Sequence, residues 1–163
     1  AYVSESLEHE TLNPKLLGFR AALREYGADD CCGDLTRYGC ARYSGGSSAY
    51  QELAASDMTA VVCSDDLLAI GFLSAAITDG RSVPQELSVV GMDNIMATLH
   101  SMPKITTVSQ NTQLIARNAV DCLLDEIDAR KRGRHADITH IAVEPTLMVR
   151  ESTGAVRPGK GTR

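Results

Sequence analysis

Two stretches, Thr59-Ala-Val-Val-Cys-Ser-Asp-Asp-Leu-Leu-Ala-Ile-Gly71 and Val83-Pro-Gln-Glu-Leu-Ser-Val-Val-Gly-Met-Asp-Asn94, set out the plan of this chain. Each holds a short run of apolar and β-branched residues, Thr59–Cys63 and Leu87–Gly91, with no polar alternation. Runs of that kind read as strands buried on both faces, the habit of a parallel sheet. Both close on acidic or amide side chains, Asp65-Asp66 and Asp93-Asn94. After the first, Ile70, Leu73 and Ile77 recur at helical spacing as far as Gly80, so a strand passes through a polar turn into a helix.

Working outward, Leu16, Phe19, Leu23 and Tyr26 mark a helix from Pro14 to Tyr26, with Pro14 suited to the first turn and Gly27 to the stop. Ala1–Ser4 reads as the end of a strand. A strand at the first residue, without an initiator Met, leads us to expect a piece of a longer protein. Residues 28–46 are polar, with a short strand around Leu35–Ala41, and a helix follows over Ser47–Ala55. Beyond the breaker Met102-Pro103 comes a strand at Ile105–Val108, then a long helix from Thr112 to Arg132 with the stripe Ala116, Ala119, Leu123 and Ile127. Ile138–Val143 and Thr146–Val149 read as strands split by Pro145, and the Gly/Pro/basic tail from Thr153 as disordered. Alternating β and α units predict an α/β protein: three layers, α/β/α, with a mostly parallel sheet.

Composition narrows the function. With 163 residues, 44% hydrophobic and 23% charged, the chain can bury a core and is not disordered. Sixteen Lys+Arg against 21 Asp+Glu leave a net charge of −5, which excludes a sequence-independent polyanion binder. No apolar run approaches the roughly 20 residues that cross a bilayer, and no signal-peptide pattern opens the chain. Cys31, Cys32, Cys40, Cys63 and Cys122 form an odd set without metal-ligand spacing, pointing to reduced thiols in a cytoplasmic protein. His9, His100, His135 and His140 are scattered too, so no metal site and no cofactor is expected.

Ligands of open parallel sheets sit beyond the carboxyl ends of the strands. Asp65 and Asp93 fall there and could direct oxygens into a shared cleft to bond ligand hydroxyls. The plain alternative for Asp65 or Asp66 is a helix N-cap. Tyr43, in the polar loop Arg42–Gly46, is the aromatic whose placement suggests binding. Enzyme motifs fail: GxGxxG and GxSxG are absent, and Gly154–Gly161 resembles a phosphate loop without its strand, helix or hydroxyl. An acidic phospho-acceptor pocket of Asp65, Asp66 and Asp93 would want a lysine at a later strand end, and Lys104 instead precedes its strand. No catalytic residue is assigned. The basic run Arg130–Arg134 suits a helix C-terminus.

The two opening stretches closely resemble the LacI/GalR family of bacterial transcription repressors and its pattern TAVxCxND-LxAxG…VPxDxSVxGxDD. Leu17-Gly18-Phe19, Thr106-Thr107-Val108-Ser109-Gln110 and Glu144–Thr153 keep the family's order, so the likeness runs from about Pro14 to Thr153. It implies the C-terminal part of an effector-binding region that looks like a periplasmic sugar-binding protein: one lobe plus crossover segments of the second. On that analogy residues 1–104 form most of the C-terminal lobe, 105–143 cross into the N-terminal lobe, 144–152 return, and 153–163 are a tail.

The resemblance also implies a small-molecule effector, by analogy a carbohydrate, held between the lobes. It implies a homodimer, with exposed apolar positions of helix 65–79 as candidate contacts, and operator DNA bound by a helix-turn-helix domain outside this chain. The family's effector contacts fall on Lys15, where the family has Arg; Asp65, where it has Asn; Asp93, unchanged; and Gln110. Lysine keeps the charge of arginine but not its bidentate fork, and Asp is acceptor-only where Asn also donates. Tyr43 falls near an aromatic that stacks on sugars in some members. A periplasmic sugar-binding protein is the alternative, and an α/β enzyme or phospho-acceptor a more distant one.

Overall fold

A computed structural model describes residues 1–4, 14–28, 36–38, 43–134 and 140–155. In chain order the elements are β1 (Tyr2–Ser4), α1 (Pro14–Glu25), β2 (Thr36–Tyr38), α2 (Tyr43–Leu53), β3 (Ala60–Cys63) and α3 (Asp66–Thr78). Then come β4 (Ser88–Met92), a 3-10 turn at Met96–Leu99, β5 (Thr106–Ser109), α4 (Thr112–Lys131) and β6 (Thr146–Met148). The strands form one sheet in the order β2-β1-β3-β4-β5-β6. Every pair is parallel except β5 with β6. The α/β class with a mostly parallel sheet is therefore observed.

Strand alternation assigns the layers. Val3, Val61, Cys63 and Val89 point to one face, where they form the buried core with Ala49, Tyr50 and Leu53 of α2 and Leu68, Ala69, Phe72, Leu73 and Ala76 of α3. On the opposite side Tyr2 is fully buried, with its ring 5.2 Å from that of Phe19 on α1. Helices thus cover both faces, and apolar burial at roughly 25 cal/mol per Å2 supplies the main stabilising term.

Helix α2 begins at Tyr43, not at Ser47 as the sequence suggested. Gly45-Gly46 looks like loop punctuation, yet Gly46 lies inside the helix because α2 and α3 cross at backbone contact. A Cβ on Gly46 would stand 2.0 Å from the Leu68 carbonyl oxygen, and one on Gly71 would stand 1.9 Å from that of Tyr43. Tertiary contact here overrides the low helix propensity of glycine. Ser47 Oγ adds a hydrogen bond to the Gly71 carbonyl at 3.0 Å.

The strand expected over Ile138–Val143 is corrected in its described part: residues 140–145 have no regular structure, and 135–139 lie outside the described residues. Of the short strand expected around Leu35–Ala41, Thr36–Tyr38 is formed and pairs with β1. Helix α4 ends as its basic run suggested. Arg130 pairs with Glu126 at 2.6 Å and Lys131 with Asp128 at 3.2 Å, both on the solvent side. Its apolar stripe is not covered: Leu114, Ile115, Val120, Leu123, Leu124 and Ile127 are 40–58% exposed. After β6 the chain is pinned at the amino ends of β4 and β5, Ser152 Oγ bonding the Val89 carbonyl at 2.6 Å and accepting from Thr106 N–H at 2.8 Å. Thr153 and Gly154 are still hydrogen-bonded, to Thr106 and Ser88; residues 156–163 of the expected tail lie outside the described residues.

Candidate ligand-binding site

The carboxyl ends of β3, β4 and β5 lie side by side, and the polar side chains that follow them converge. Beyond β3, Asp65 has extended backbone (φ −151°, ψ 167°) and accepts the Leu68 N–H on Oδ1 at 2.9 Å, so Asp65 is the N-cap of α3. Such a cap relieves one of the four unpaired amides of the first turn. Asp65 Oδ2 is buried and takes no hydrogen bond among the described residues. An acceptor in that condition is complemented by a hydroxyl or an amine.

Beyond β4, Asp93 keeps the ladder with an N–H bond to the Val108 carbonyl at 2.9 Å. The backbone then turns through two positive φ values, 104° at Asp93 and 56° at Asn94. Immediately after β5, Gln110 Nε2 donates to Asp93 Oδ1 at 2.5 Å. Lys15, in the first turn of α1, donates from Nζ to the Ser64 carbonyl at 2.7 Å and stands 3.7 Å from Asp93 Oδ1. Four of the five side chains singled out from the sequence, Lys15, Asp65, Asp93 and Gln110, thus gather at one edge of the sheet. Tyr43 does not join them. It is half exposed at the start of α2 and lines a separate hollow of about 320 Å3 with Ile70, Leu73, Ile77 and Met102.

Beneath the cluster lies a polar network that sequence reasoning missed. Asp66, considered there as a cap, is instead almost wholly buried. Its Oδ1 accepts the Thr107 hydroxyl at 2.6 Å and its Oδ2 the Ile95 N–H at 2.8 Å. Burial pushes the Asp66 carboxyl above the usual aspartate value, against the pull of those two hydrogen bonds. Asn94 Oδ1 accepts from Arg150 Nη2 at 2.5 Å, while Arg150 Nη1 reaches Thr98 Oγ1 at 2.7 Å and the Ile105 carbonyl at 2.9 Å. The network's one signal in the sequence is Gly91, a strand glycine in register with Thr107: a side chain there would collide with Asp66. Cys63, fully buried at the end of β3, is no nucleophile, since burial and the neighbouring Asp65 charge push its thiol far up. Among the described residues no cluster of three or more His, Cys, Asp or Glu could hold a metal ion.

The family model for a periplasmic binding protein-like domain matches residues 1–153. The chain belongs to that family. It is similar to the helix-turn-helix-type transcriptional regulator CelR of Thermobifida fusca, 34% identical over 140 residues, 85% of this chain and 40% of CelR. It is also similar to the helix-turn-helix-type transcriptional repressor CytR of Escherichia coli K12, 35% identical over 149 residues, 87% of this chain and 41% of CytR. Among solved structures, the complex of CelR with cellobiose superposes with a TM-score of 0.79 at 31% identity, over 93% of this chain and 46% of that one. Kinship with the LacI-type regulators, read above from the motifs, is thereby shown. The chain spans about 40% of the length of these curated relatives. The relatives are regulators of transcription, not enzymes. Among the described residues no helix is long and apolar enough to cross a membrane.

Proposed function

We propose that this chain is effector-sensing lobe of a cytoplasmic LacI-type transcription regulator, a binding module without catalysis. The carrying observation is the convergence of Lys15, Asp65, Asp93 and Gln110 at the carboxyl edge of the sheet. Two carboxylates, one ammonium and one amide are a donor and acceptor set for a hydroxyl-rich ligand, a sugar or a related metabolite. The Gln110–Asp93 and Lys15–Asp93 contacts hold the groups in place before ligand arrives, which lowers the ordering cost of binding.

The protein's other lobe closes over this edge. Of residues 105–143, expected from the resemblance to cross into that lobe, β5 pairs with β4 in the sheet described here. Helix α4 is the part that belongs with the other lobe, and its apolar stripe with the exposed Leu147 and Val149 is the surface buried there. Residues 144–152 return to the lobe described here. Two copies associate through the outer side of α3, where the half-exposed Ile77 and Tyr43 and the protruding Met102 form an apolar surface. Effector binding shifts the equilibrium between closure states, and the dimer passes that shift to operator DNA through a helix-turn-helix domain elsewhere in the protein. A coupling of about 1–3 kcal/mol suffices.

The test is thermal unfolding of the intact regulator against cellobiose and a panel of other sugars, sugar phosphates and nucleosides. Ligand at 100 times its Kd should add about 2.7 kcal/mol of stability. Asp93→Ala should abolish the shift. A hit that survives Asp93→Ala, or no hit at all, removes the assignment.

A further inference from the structure

Asp93 and Asn94 occupy positive-φ backbone, which is unfavourable for a non-glycine residue and persists only where the surroundings enforce it. Three contacts enforce it here. The Asn94 N–H donates to Thr107 Oγ1 at 3.2 Å, the Ile95 N–H donates to Asp66 Oδ2 at 2.8 Å, and Arg150 grips the Asn94 side chain. Thr107 in turn donates its hydroxyl proton to Asp66 Oδ1. One carboxylate therefore holds the turn at two points, directly at Ile95 and through Thr107 at Asn94.

The sheet is built to let that carboxylate through. Asp66 follows β3, Thr107 lies on β5, and β4 runs between them. The Asp66 side chain passes over β4 at Gly91, the residue in register with Thr107. A Cβ on Gly91 would stand 2.2 Å from Asp66 Oδ1. Thr107 and Asp66 are buried to 0% and 1% exposure, so water does not compete for these bonds.

We infer that Asp66 is the positioning residue for Asp93: acting through Thr107 and the Ile95 amide, it locks the left-handed turn that presents the Asp93 carboxylate to Gln110, Lys15 and the effector. Asp66 does not touch the effector. The inference rests on the effector-site reading above, and its test includes an arm that needs no ligand.

Thr107→Val keeps the shape of the side chain and removes the hydroxyl, whereas Thr107→Ser keeps the hydroxyl and removes a methyl. Both would be made in the intact protein, with Gly91→Ala as a third variant that displaces the Asp66 carboxylate without deleting it. Hydrogen exchange of the Asn94 and Ile95 amides is measured without ligand, and cellobiose affinity by calorimetry. In Thr107→Val and Gly91→Ala, exchange at the two amides should rise about tenfold or more and cellobiose should bind about tenfold more weakly. Thr107→Ser should stay within about twofold of the parent in both. Equal behaviour of Thr107→Val and the parent overturns the inference. So does equal loss in Thr107→Ser and Thr107→Val, which would mean that only packing matters. If the parent itself does not bind cellobiose, that sugar falls from the effector reading, and the exchange arm alone decides the role of Asp66.

Discussion

Replacing Gly71 by alanine should destabilise the protein, although glycine-to-alanine in a helix ordinarily does the reverse. In an open helix the change gains about 1 kcal/mol, because alanine has less backbone freedom to lose on folding. Gly18 in α1 is such a site, with nothing within 4 Å of an added Cβ. Gly18→Ala should therefore stabilise by about 0.5–1 kcal/mol. At Gly71 the same methyl would stand 1.9 Å from the Tyr43 carbonyl oxygen and 2.8 Å from its carbon. Non-bonded atoms prefer about 3.5–4 Å, so α2 would have to withdraw by roughly 1.5 Å or more. The obstacle is backbone and cannot rotate aside. Overpacking of this kind costs about 3 kcal/mol, and the propensity gain offsets about 1, leaving a net loss near 2 kcal/mol. Calorimetry on the intact protein should show a Tm lower by about 4–8 °C for Gly71→Ala and higher by about 1–4 °C for Gly18→Ala. If the two variants rise together, the α2–α3 crossing is not the backbone contact described above.

Asp66 should impose a pH dependence of unusual sign for an aspartate. Its carboxyl is held above the ordinary value of 3.8, so the folded state binds the proton more tightly than the unfolded one. The stability it contributes is fully present below the ordinary value and is lost as pH rises through the raised folded value. Asp66→Asn should remove that fall in unfolding free energy against pH, and parallel curves for the two proteins would refute the assignment. Brief alkylation of the native protein followed by peptide mass spectrometry should label the part-exposed Cys122 and spare the buried Cys63; equal labelling would contradict the packing around β3. Leu123→Ala, at a position 58% exposed in this lobe, should cost the intact protein about 2 kcal/mol or more if the second lobe covers α4. A change within about 0.5 kcal/mol would leave that helix facing solvent.

Much of this protein is legible in one dimension because its signals are local. Thr59–Cys63 and Leu87–Gly91 read as buried parallel strands because such strands need apolar residues on both faces. The acidic residues after them mark the edge proposed for a ligand, because a parallel sheet directs all its carboxyl ends one way. Lys15, Asp65, Asp93 and Gln110 lie in four separate segments, and the family resemblance named them before the sheet brought them together. Tyr43 was named with them, yet the α2–α3 crossing directs it to another hollow. Where signals were not local, reading failed. Gly45-Gly46 looked like a loop because glycine has poor helix propensity, and only the approach of α3 explains a helix there. Asp66 looked like a cap because sequence spacing cannot tell whether a carboxylate turns toward its own helix or crosses a neighbouring strand. That choice depends on an empty space above Gly91 and a hydroxyl on Thr107, 41 residues away along the chain. Sequence by itself determined most of the elements, the class of fold and the edge of the sheet at which a ligand site is proposed, since these follow from periodicity and burial. Tertiary structure alone decided which polar groups meet, because a hydrogen bond depends on ångström-scale distance and direction that no spacing along the chain encodes.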